Sequence, residues 1–313
     1  MRVFVAGGTG ALGQHLLPQL VAAGHNVSAL TRSASKAAAV ESAGAEPVVA
    51  DALDREALAA AVRQVRPEVV IHQLTALTTI KNFRRFDKEF ALTNRLRTEG
   101  TDNLLAAAQD AGASRFVAQS FAGWPSERTG SRVKTEDAPF DPAPPANQRR
   151  SMEAIRYLER QVTGAPLEGV VLRYGGFYGP GSNMNRSGDI AELVRKRRFP
   201  IVGNGSGVWS FCHLEDAASA TVAAVERGAP GIYNVCDDEP IEIATWLPEY
   251  ARVIGARQPG HVPAWLGRLL AGDVVVSMMT RVRGASNAKA RAALDWKPRY
   301  ATYREGFSTG LAD

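Results

Sequence analysis

The sequence contains little cysteine, no long apolar run and almost no charge surplus. Two cysteines in 313 residues cannot form a disulfide framework, so a reducing compartment, the cytoplasm, is expected. No apolar run approaches the ~18 residues of a membrane helix, and a glycine motif at residue 7 leaves no room for a signal peptide. The 37 Lys+Arg against 32 Asp+Glu leave a net charge of +5, which permits a phosphate-bearing ligand without requiring nucleic acid.

The motifs of several site classes are also missing. The five His and two Cys show neither H-E-x-x-H nor C-x-x-C spacing, so no metal site is predicted. There is no G-x-S-x-G elbow of a hydrolase. The densest basic run, R-K-R-R at residues 195–198, lacks an aromatic platform, so it is interpreted as a solvated helix end or a clamp for an anionic substrate rather than a nucleic-acid site.

Short apolar strands and amphipathic helices alternate along the first half of the chain. Strands are predicted at residues 3–6, 27–31, 47–50, 69–74, 115–119 and 169–174, and helices at 14–23, 36–43, 54–65, 92–111 and 149–163. Residues 125–148, with five prolines, are predicted to be a long loop. This alternation predicts an α/β fold with a doubly wound parallel Rossmann sheet.

Two regions with a looser pattern indicate a smaller, partly helical substrate domain in the C-terminal half. The nucleotide-binding domain is predicted to comprise residues 1–174 and 211–236, with a helix at 211–227 and a strand at 231–235. The substrate-binding domain is predicted to comprise residues 175–210 and 237–313. The small domain is rich in Trp, Phe and Met, most of which are expected in its core.

A glycine-rich turn joins the first strand to the first helix. Residues 7–13 read G-G-T-G-A-L-G, a G-x-x-G-x-x-G pattern within a βαβ unit. Glycine lets the backbone N–H groups approach a pyrophosphate, which also meets the positive end of the helix dipole. This pattern predicts dinucleotide binding by Gly7, Thr9, Gly10, Ala11, Leu12 and Gly13.

The end of the second predicted strand indicates which dinucleotide is bound. An NAD site usually places an acid there, but residues 27–40 contain no Asp or Glu. Arg32 and Ser33 occupy this place, and a guanidinium suits a 2′-phosphate better than a 2′-hydroxyl. NADP(H) is therefore predicted over NAD.

Several further segments together resemble the extended short-chain dehydrogenase/reductases, the NAD(P)-dependent epimerase/dehydratase group. They are D-A-L-D at 51–54, I-H-Q-L-T-A at 71–76, T-N at 93–94, R-F-V-A-Q-S at 115–120, L-R-Y-G-G-F-Y-G-P-G at 172–181, F-C-H-L-E-D at 211–216 and L-D-W-K-P at 294–298. The resemblance implies an adenine contact by Asp51 and Ala52 and a place behind the nicotinamide for Asn94. It also implies cofactor contacts by Leu74, Thr75, Ala76, Tyr174, Gly175 and Phe177.

The proton relay of that family is missing. Family members use a serine together with Tyr-x-x-x-Lys, where the tyrosine exchanges the proton and the lysine lowers its pKa. The resemblance places Gln148 at the tyrosine position and Met152 at the lysine position, and no Tyr-x-x-x-Lys occurs elsewhere. Ser120 matches the serine, and Tyr178 near the nicotinamide edge is a candidate proton source, so these two are the predicted catalytic residues.

Three functional hypotheses follow from the sequence. The first is an NADP(H)-dependent oxidoreductase that acts on a small carbonyl or conjugated substrate with an unusual proton source. The second is a non-redox epimerase or dehydratase, and the third is a catalytically silent NADP(H)-binding sensor or scaffold. Gly176 stands where sugar-nucleotide enzymes of the family commonly have Asn, which weakens a sugar-nucleotide substrate. The resemblance also implies a possible homodimer through helices near 93–111 and 149–163.

Overall fold

The computed structural model describes residues 1–77 and 82–311. The strands in this part of the chain are β1 (Arg2–Ala6), β2 (Asn26–Thr31), β3 (Glu46–Val49), β4 (Val69–His72), β5 (Arg115–Phe121), β6 (Val133–Lys134), β7 (Glu168–Tyr174), β8 (Gly176–Tyr178), β9 (Ile201–Val202), β10 (Val208–Trp209), β11 (Phe211–His213), β12 (Gly231–Val235), β13 (Ile241–Glu242), β14 (His261–Val262) and β15 (Gly284–Ala285).

Helices separate most of the longer strands. They are α1 (Ala11–Ala22), α2 (Ala37–Ser42), α3 (Arg55–Val65), α4 (Phe86–Glu89), α5 (Ala91–Arg97), α6 (Glu99–Asp110), α7 (Arg149–Gly164), α8 (Asp189–Arg195), α9 (Leu214–Glu226), α10 (Ile243–Val253), α11 (Ala264–Ala271), α12 (Asp273–Thr280), α13 (Ala288–Ala293) and α14 (Tyr303–Thr309). No helix of the described residues is both long enough and apolar enough to cross a membrane.

The central sheet has the order β12-β7-β5-β4-β1-β2-β3, and each neighbouring pair is parallel. Most residues of its inner strands are apolar, as expected of parallel strands that are covered on both faces. The strand order reverses direction between β1 and β4, which opens a crevice outside the carboxyl ends of these strands. The predicted doubly wound Rossmann fold is confirmed.

Three of the predicted elements differ from those in the structure. The helix predicted at 92–111 is interrupted at Thr98, which has φ −103° and ψ −85° and separates α5 from α6. Residues 211–213 form β11, a strand that pairs with β8, and α9 begins only after His213. The loop predicted at 125–148 contains β6, which pairs with β15.

The cores of the two halves interleave along the chain. One core packs helices α1 and α9 on one face of the central sheet, and a second core holds the small domain together around Trp246, Tyr250 and Phe307. Ala290, Leu294 and Trp296 pack in the first core, although the domain prediction placed them with the small domain. Helix α13 contacts β12, so this part of the chain packs at the edge of the central sheet.

Candidate active site

The glycine turn has the geometry of a pyrophosphate cradle. Gly7 has φ +106°, and a Cβ atom at this position would lie 2.7 Å from the carbonyl oxygen of Gln73. A Cβ atom on Gly13 would overlap the carbonyl oxygen of Gly8. Gly10 is the N-cap of α1 without a side-chain cap, and no acid lies in the first turn of the helix. The first N–H groups of α1 therefore suit an anion, and the residues present fit a dinucleotide phosphate.

Arg32 follows β2 at the same edge of the sheet. Its side chain is exposed and makes no hydrogen bond or ion pair with residues 1–77 or 82–311. Ser33 Oγ accepts from the N–H of Ser35 and caps the short 3-10 turn that follows. The guanidinium is thus held near the end of β2 with its donors available for a ligand.

Two further loops reach this edge after β3 and β4. Asp51 Oδ1 accepts the N–H of Leu53 at 2.9 Å, and Ala52 is buried with its carbonyl bonded to Asn103. The loop of Leu74, Thr75 and Ala76 is half-buried. Parallel strands end at one edge, so these loops and the glycine turn border one crevice.

Side chains that the sequence did not single out fix the loop after β4. His72 Nδ1 accepts the N–H of Leu74 at 3.2 Å, so the other ring nitrogen donates to the Leu96 carbonyl. Burial is the main cause that lowers the pKa of His72 to about 4. Thr93 Oγ1 accepts the N–H of Ala76 at 3.0 Å. Thr93 lies 17 residues from Ala76 along the chain, so no local pattern indicates this second contact.

Asn94 belongs to a hydrogen-bond chain with a fixed direction. The carboxylate of Asp87 can only accept, and its Oδ1 accepts from Ser151 Oγ at 2.7 Å. Ser151 Oγ is therefore left to accept from Asn94 Nδ2 at 3.1 Å. The remaining amide oxygen of Asn94 is buried and has no hydrogen-bond partner in the described chain. Asp87 and Ser151 thus orient the Asn94 amide so that its oxygen is an acceptor without a donor among the described residues.

Tyr174 is buried at the end of β7, and its hydroxyl proton is already used in a hydrogen bond. Its hydroxyl accepts from Gln73 Nε2 at 3.1 Å and donates to Thr221 Oγ1 at 2.6 Å, whose own proton goes to Ala217. Burial raises the pKa of Tyr174. Gly175 approaches β11 closely, since a Cβ atom there would lie 2.8 Å from the Ser210 carbonyl oxygen.

Phe177 is half-buried beside Tyr174. The centroids of the two rings are 5.3 Å apart. Phe177 also packs on the first core, so its ring has a fixed place at the side of the crevice.

Ser120 points under helix α7. Its hydroxyl donates to Glu159 Oε1 at 2.6 Å, and Glu159 is paired with Arg173 at 2.6 Å in a buried ion pair. The serine proton is therefore committed to a carboxylate. This contact argues against the predicted role of Ser120 as a hydrogen-bond donor to a reacting oxygen.

Tyr178 lies in the core of the small domain. The residue is 0% exposed, and its ring is surrounded by Phe211, His213 and Phe307 at centroid distances of 5.1–6.2 Å. Its hydroxyl has no partner in the described residues, and burial raises its pKa. This packing argues against the predicted catalytic role of Tyr178, because no substrate reaches the hydroxyl.

Gln148 and Met152, which the resemblance places at the family's tyrosine and lysine positions, lie at the start of α7. Met152 is buried and packs with Trp124, Ile155 and Val282, and Phe121, Phe140 and Trp209 complete this group, which we call the apolar wall. Gln148, one turn earlier, is 1% exposed and both of its amide atoms lack partners among the described residues. Neither Gln148 nor Met152 can transfer a proton near neutral pH. Residues 1–77 and 82–311 also contain no group of three or more His, Cys, Asp or Glu suited to a metal ion.

Residues 3–236 match the NAD dependent epimerase/dehydratase family. The chain belongs to this family. It is 48% identical over 307 residues to the 3-diazoavenalumate denitrifying reductase of a Streptomyces species, covering 98% of this chain and 99% of that relative. It is 31% identical to the 4-hydroxy-2-methyl-3-oxo-4-farnesyl-3,4-dihydroquinoline-1-oxide ketoreductase of Stigmatella aurantiaca, covering 87% of this chain and 79% of that relative.

A solved structure supports the fold over the whole length. The human epimerase family protein SDR39U1 (isoform2) with NADPH has a TM-score of 0.75 at 19% identity, covering 99% of each chain. The two curated relatives are named reductases, which supports an oxidoreductase of the extended short-chain type.

Proposed function

We propose that this protein is an NADPH-dependent denitrifying reductase of aryl diazo compounds. The observation that carries the proposal is the absence of a usable proton donor at the catalytic position. Gln148 and Met152 stand at the tyrosine and lysine positions, and Ser120 is committed to Glu159. A reaction that needs only a hydride is compatible with this site, whereas carbonyl reduction also needs a proton.

Reduction of an aryl diazonium needs no enzyme-derived proton. NADPH held in this site would supply a hydride, and its two electrons and one hydrogen would go to the ring carbon as the C–N bond breaks. The products are an aryl C–H bond and N2, so charge and atoms balance. The 48% identical relative is named as a denitrifying reductase of a diazo compound, which supports the same reaction class here.

The chain's own residues would hold NADPH in this scheme. The turn with Gly7, Gly10 and Gly13 would bind the pyrophosphate, and Arg32 and Ser33 would bind the 2′-phosphate. Asp51 and Ala52 would contact the adenine. The remaining predicted contacts would border the ribose and the nicotinamide: Leu74, Thr75, Ala76, Tyr174, Gly175 and Phe177.

We infer that Asn94 binds the carboxamide amino group of the nicotinamide. The hydrogen bonds from Asn94 to Ser151 and from Ser151 to Asp87 leave the amide oxygen of Asn94 as a buried acceptor. An NADP⁺ analogue with 3-acetylpyridine lacks the amino group. It should bind more weakly than NADP⁺ to the unchanged protein, and about equally to Asn94→Leu. Equal binding of both cofactors to the unchanged protein would contradict this role.

The test of the proposed function is a labelled turnover. The protein is mixed with 4-carboxybenzenediazonium and NADPH deuterated at either face of C4. Deuterium should appear at C4 of the benzoate product from one face only, together with one N2 for each NADPH consumed. A reaction without protein, and one with a variant that cannot bind the cofactor, measure the uncatalysed background.

The same experiment separates the other hypotheses. Deuterium transfer to a ketone but not to the diazonium would assign a ketoreductase, as the Stigmatella relative is named. Turnover without net cofactor consumption would indicate a non-redox enzyme. Cofactor binding without any label transfer would indicate a sensor, and each of these results would overturn the proposal.

A further inference from the structure

Three arginines lie together beside the apolar wall, and we call Arg128, Arg281 and Arg283 the arginine cluster. Arg283 Nε donates to the carbonyl oxygen of Arg128 at 2.9 Å, which joins the segment after α12 to the loop after β5. Arg128 Nε donates to Asp141 Oδ2 at 3.1 Å, and the two side chains are 13% and 6% exposed. The cluster is therefore partly buried, where charge is weakly screened.

The cluster has more positive than negative charge. Asp141 supplies one carboxylate, and its second oxygen accepts the N–H of Ala143. Nearby charges are already matched, because Lys134 pairs with Glu127 and Arg132 pairs with Glu242. Burial, opposed by Asp141 and reinforced by the other two arginines, lowers the pKa of Arg128. An additional anion would relieve this repulsion.

Two of the guanidinium groups have unused donors. Arg128 Nη1 is buried without a hydrogen-bond partner in the described chain, which is an unfavourable state for a charged donor. Arg281 is exposed and makes no ion pair or side-chain hydrogen bond with residues 1–77 or 82–311. Arg281 offers a planar donor group of the kind that binds a carboxylate through two bonds, and the buried guanidinium of Arg128 adds positive charge beside it.

The chain connectivity places the cluster next to the catalytic position. Val282 stands between Arg281 and Arg283 and packs with Trp124 and Met152 in the apolar wall. Gly123, next to Trp124, has φ +83°, and a Cβ atom there would lie 2.5 Å from the Arg283 carbonyl oxygen. The arginines therefore border the same wall that replaces the family's lysine.

We propose that the arginine cluster binds the carboxylate of an aryl acid whose ring lies against the apolar wall. Phe121 and Trp209 are half-buried and provide aromatic faces for the ring. This inference rests on the proposed function, since it names the substrate class of that site as aryl diazo acids. The carboxylate would fix which end of the substrate points away from the crevice.

The test measures binding and needs no turnover. The probe is 4-hydroxycinnamate, a diazo-free aryl acid, titrated into the NADP⁺-loaded protein by calorimetry, with its methyl ester as the neutral comparison. The acid should bind at least about tenfold more tightly than the ester, as a charge-assisted pair predicts. Arg281→Ala should remove most of this preference, and Arg281→Lys should restore part of it. Arg128→Met should also weaken the binding of the acid.

The matched control is Arg63→Ala, which removes an exposed arginine of α3 and should leave both affinities unchanged. Equal binding of acid and ester, or an unchanged acid affinity in Arg281→Ala, overturns the proposal. Tight binding of UDP that depends on Arg281, without a preference for the acid, also overturns it and assigns the cluster to a nucleotide phosphate. If the unchanged protein prefers the acid over the ester but does not reduce the diazonium, the result would contradict only the proposed function.

Discussion

The carboxyl edge of the sheet and the start of helix α7 differ in how far each keeps the family pattern. At the sheet edge, Gly7 and Gly13 keep the close backbone approach that a dinucleotide phosphate needs. At the start of α7, the resemblance places Gln148 and Met152 where the family has its ionisable pair, and Met152 packs among apolar side chains. The first region therefore keeps the family pattern, and the second departs from it.

The difference shows that cofactor binding and proton transfer depend on different properties of the chain. The phosphate cradle is built from backbone N–H groups and glycine conformations, which follow from the fold. A proton relay depends on two side chains and their pKa values. Two substitutions can therefore remove the relay while helix, sheet and cradle are retained. The predictions below separate these two regions, starting with the largest effect.

The largest effect on cofactor binding is expected from a methyl group in the phosphate cradle. Gly13→Ala should weaken NADPH binding about 100-fold, because the added Cβ overlaps the Gly8 carbonyl and forces the turn open. Fluorescence titration of NADPH measures the change. Gly164→Ala at the end of α7 is the control, since a Cβ atom there meets nothing within 4 Å. Normal NADPH affinity in Gly13→Ala would contradict the assigned cradle.

Restoring the relay should change which substrate is reduced. The double variant Gln148→Tyr, Met152→Lys should gain ketone reduction by about 100-fold, the contribution typical of a positioned acid. Diazonium reduction should not increase, because it needs no proton from the protein. Steady-state rates with both substrates test this, and circular dichroism checks folding because Met152 is buried. An equal gain for both substrates would show that proton transfer limits diazonium reduction.

Acid should lower the free energy of unfolding of the protein through the protonation of His72. The pKa of His72 is about 4 in the folded chain against about 6.5 unfolded, so between these values the unfolded chain binds more protons. Stability should thus fall as pH drops through this window, by about 3 kcal/mol in total from this group. Urea unfolding of the protein at pH 7 and pH 4 measures the change.

Replacing the imidazole isolates its part of this pH dependence. His72→Gln should lose stability at pH 7 but show a shallower decline towards pH 4. His261→Gln, at an exposed histidine, should keep the full pH dependence. A His72→Gln profile parallel to that of the unchanged protein would rule out His72 as the group responsible.

The smallest effect is expected at the cofactor's 2′-phosphate. Arg32→Ala should weaken NADPH binding about tenfold and leave NADH binding nearly unchanged, since the exposed guanidinium faces solvent on one side. Calorimetry with both cofactors gives the ratio. Arg63→Ala, at an exposed arginine of α3, serves as the control. Equal losses for NADPH and NADH would contradict phosphate recognition by Arg32.

The sequence alone determined the fold and the family. Apolar strands alternating with helices specify a parallel sheet, and the order of the motifs from Gly7 to Asp216 identifies the family without a structure. The absence of Tyr-x-x-x-Lys is equally a fact of the sequence. These features are local or periodic, so the neighbouring residues are enough to recognise them.

Only the tertiary structure decided which polar side chains are free to act. Ser120 and Tyr178 stand at plausible places in the sequence, but Glu159 and the aromatic core that engage them are distant along the chain. The direction of the Asn94 amide and the unused donors of the arginine cluster are also set by distant partners. Burial and hydrogen-bond partners depend on long-range packing, and for that reason a linear pattern identifies residue types but not their availability.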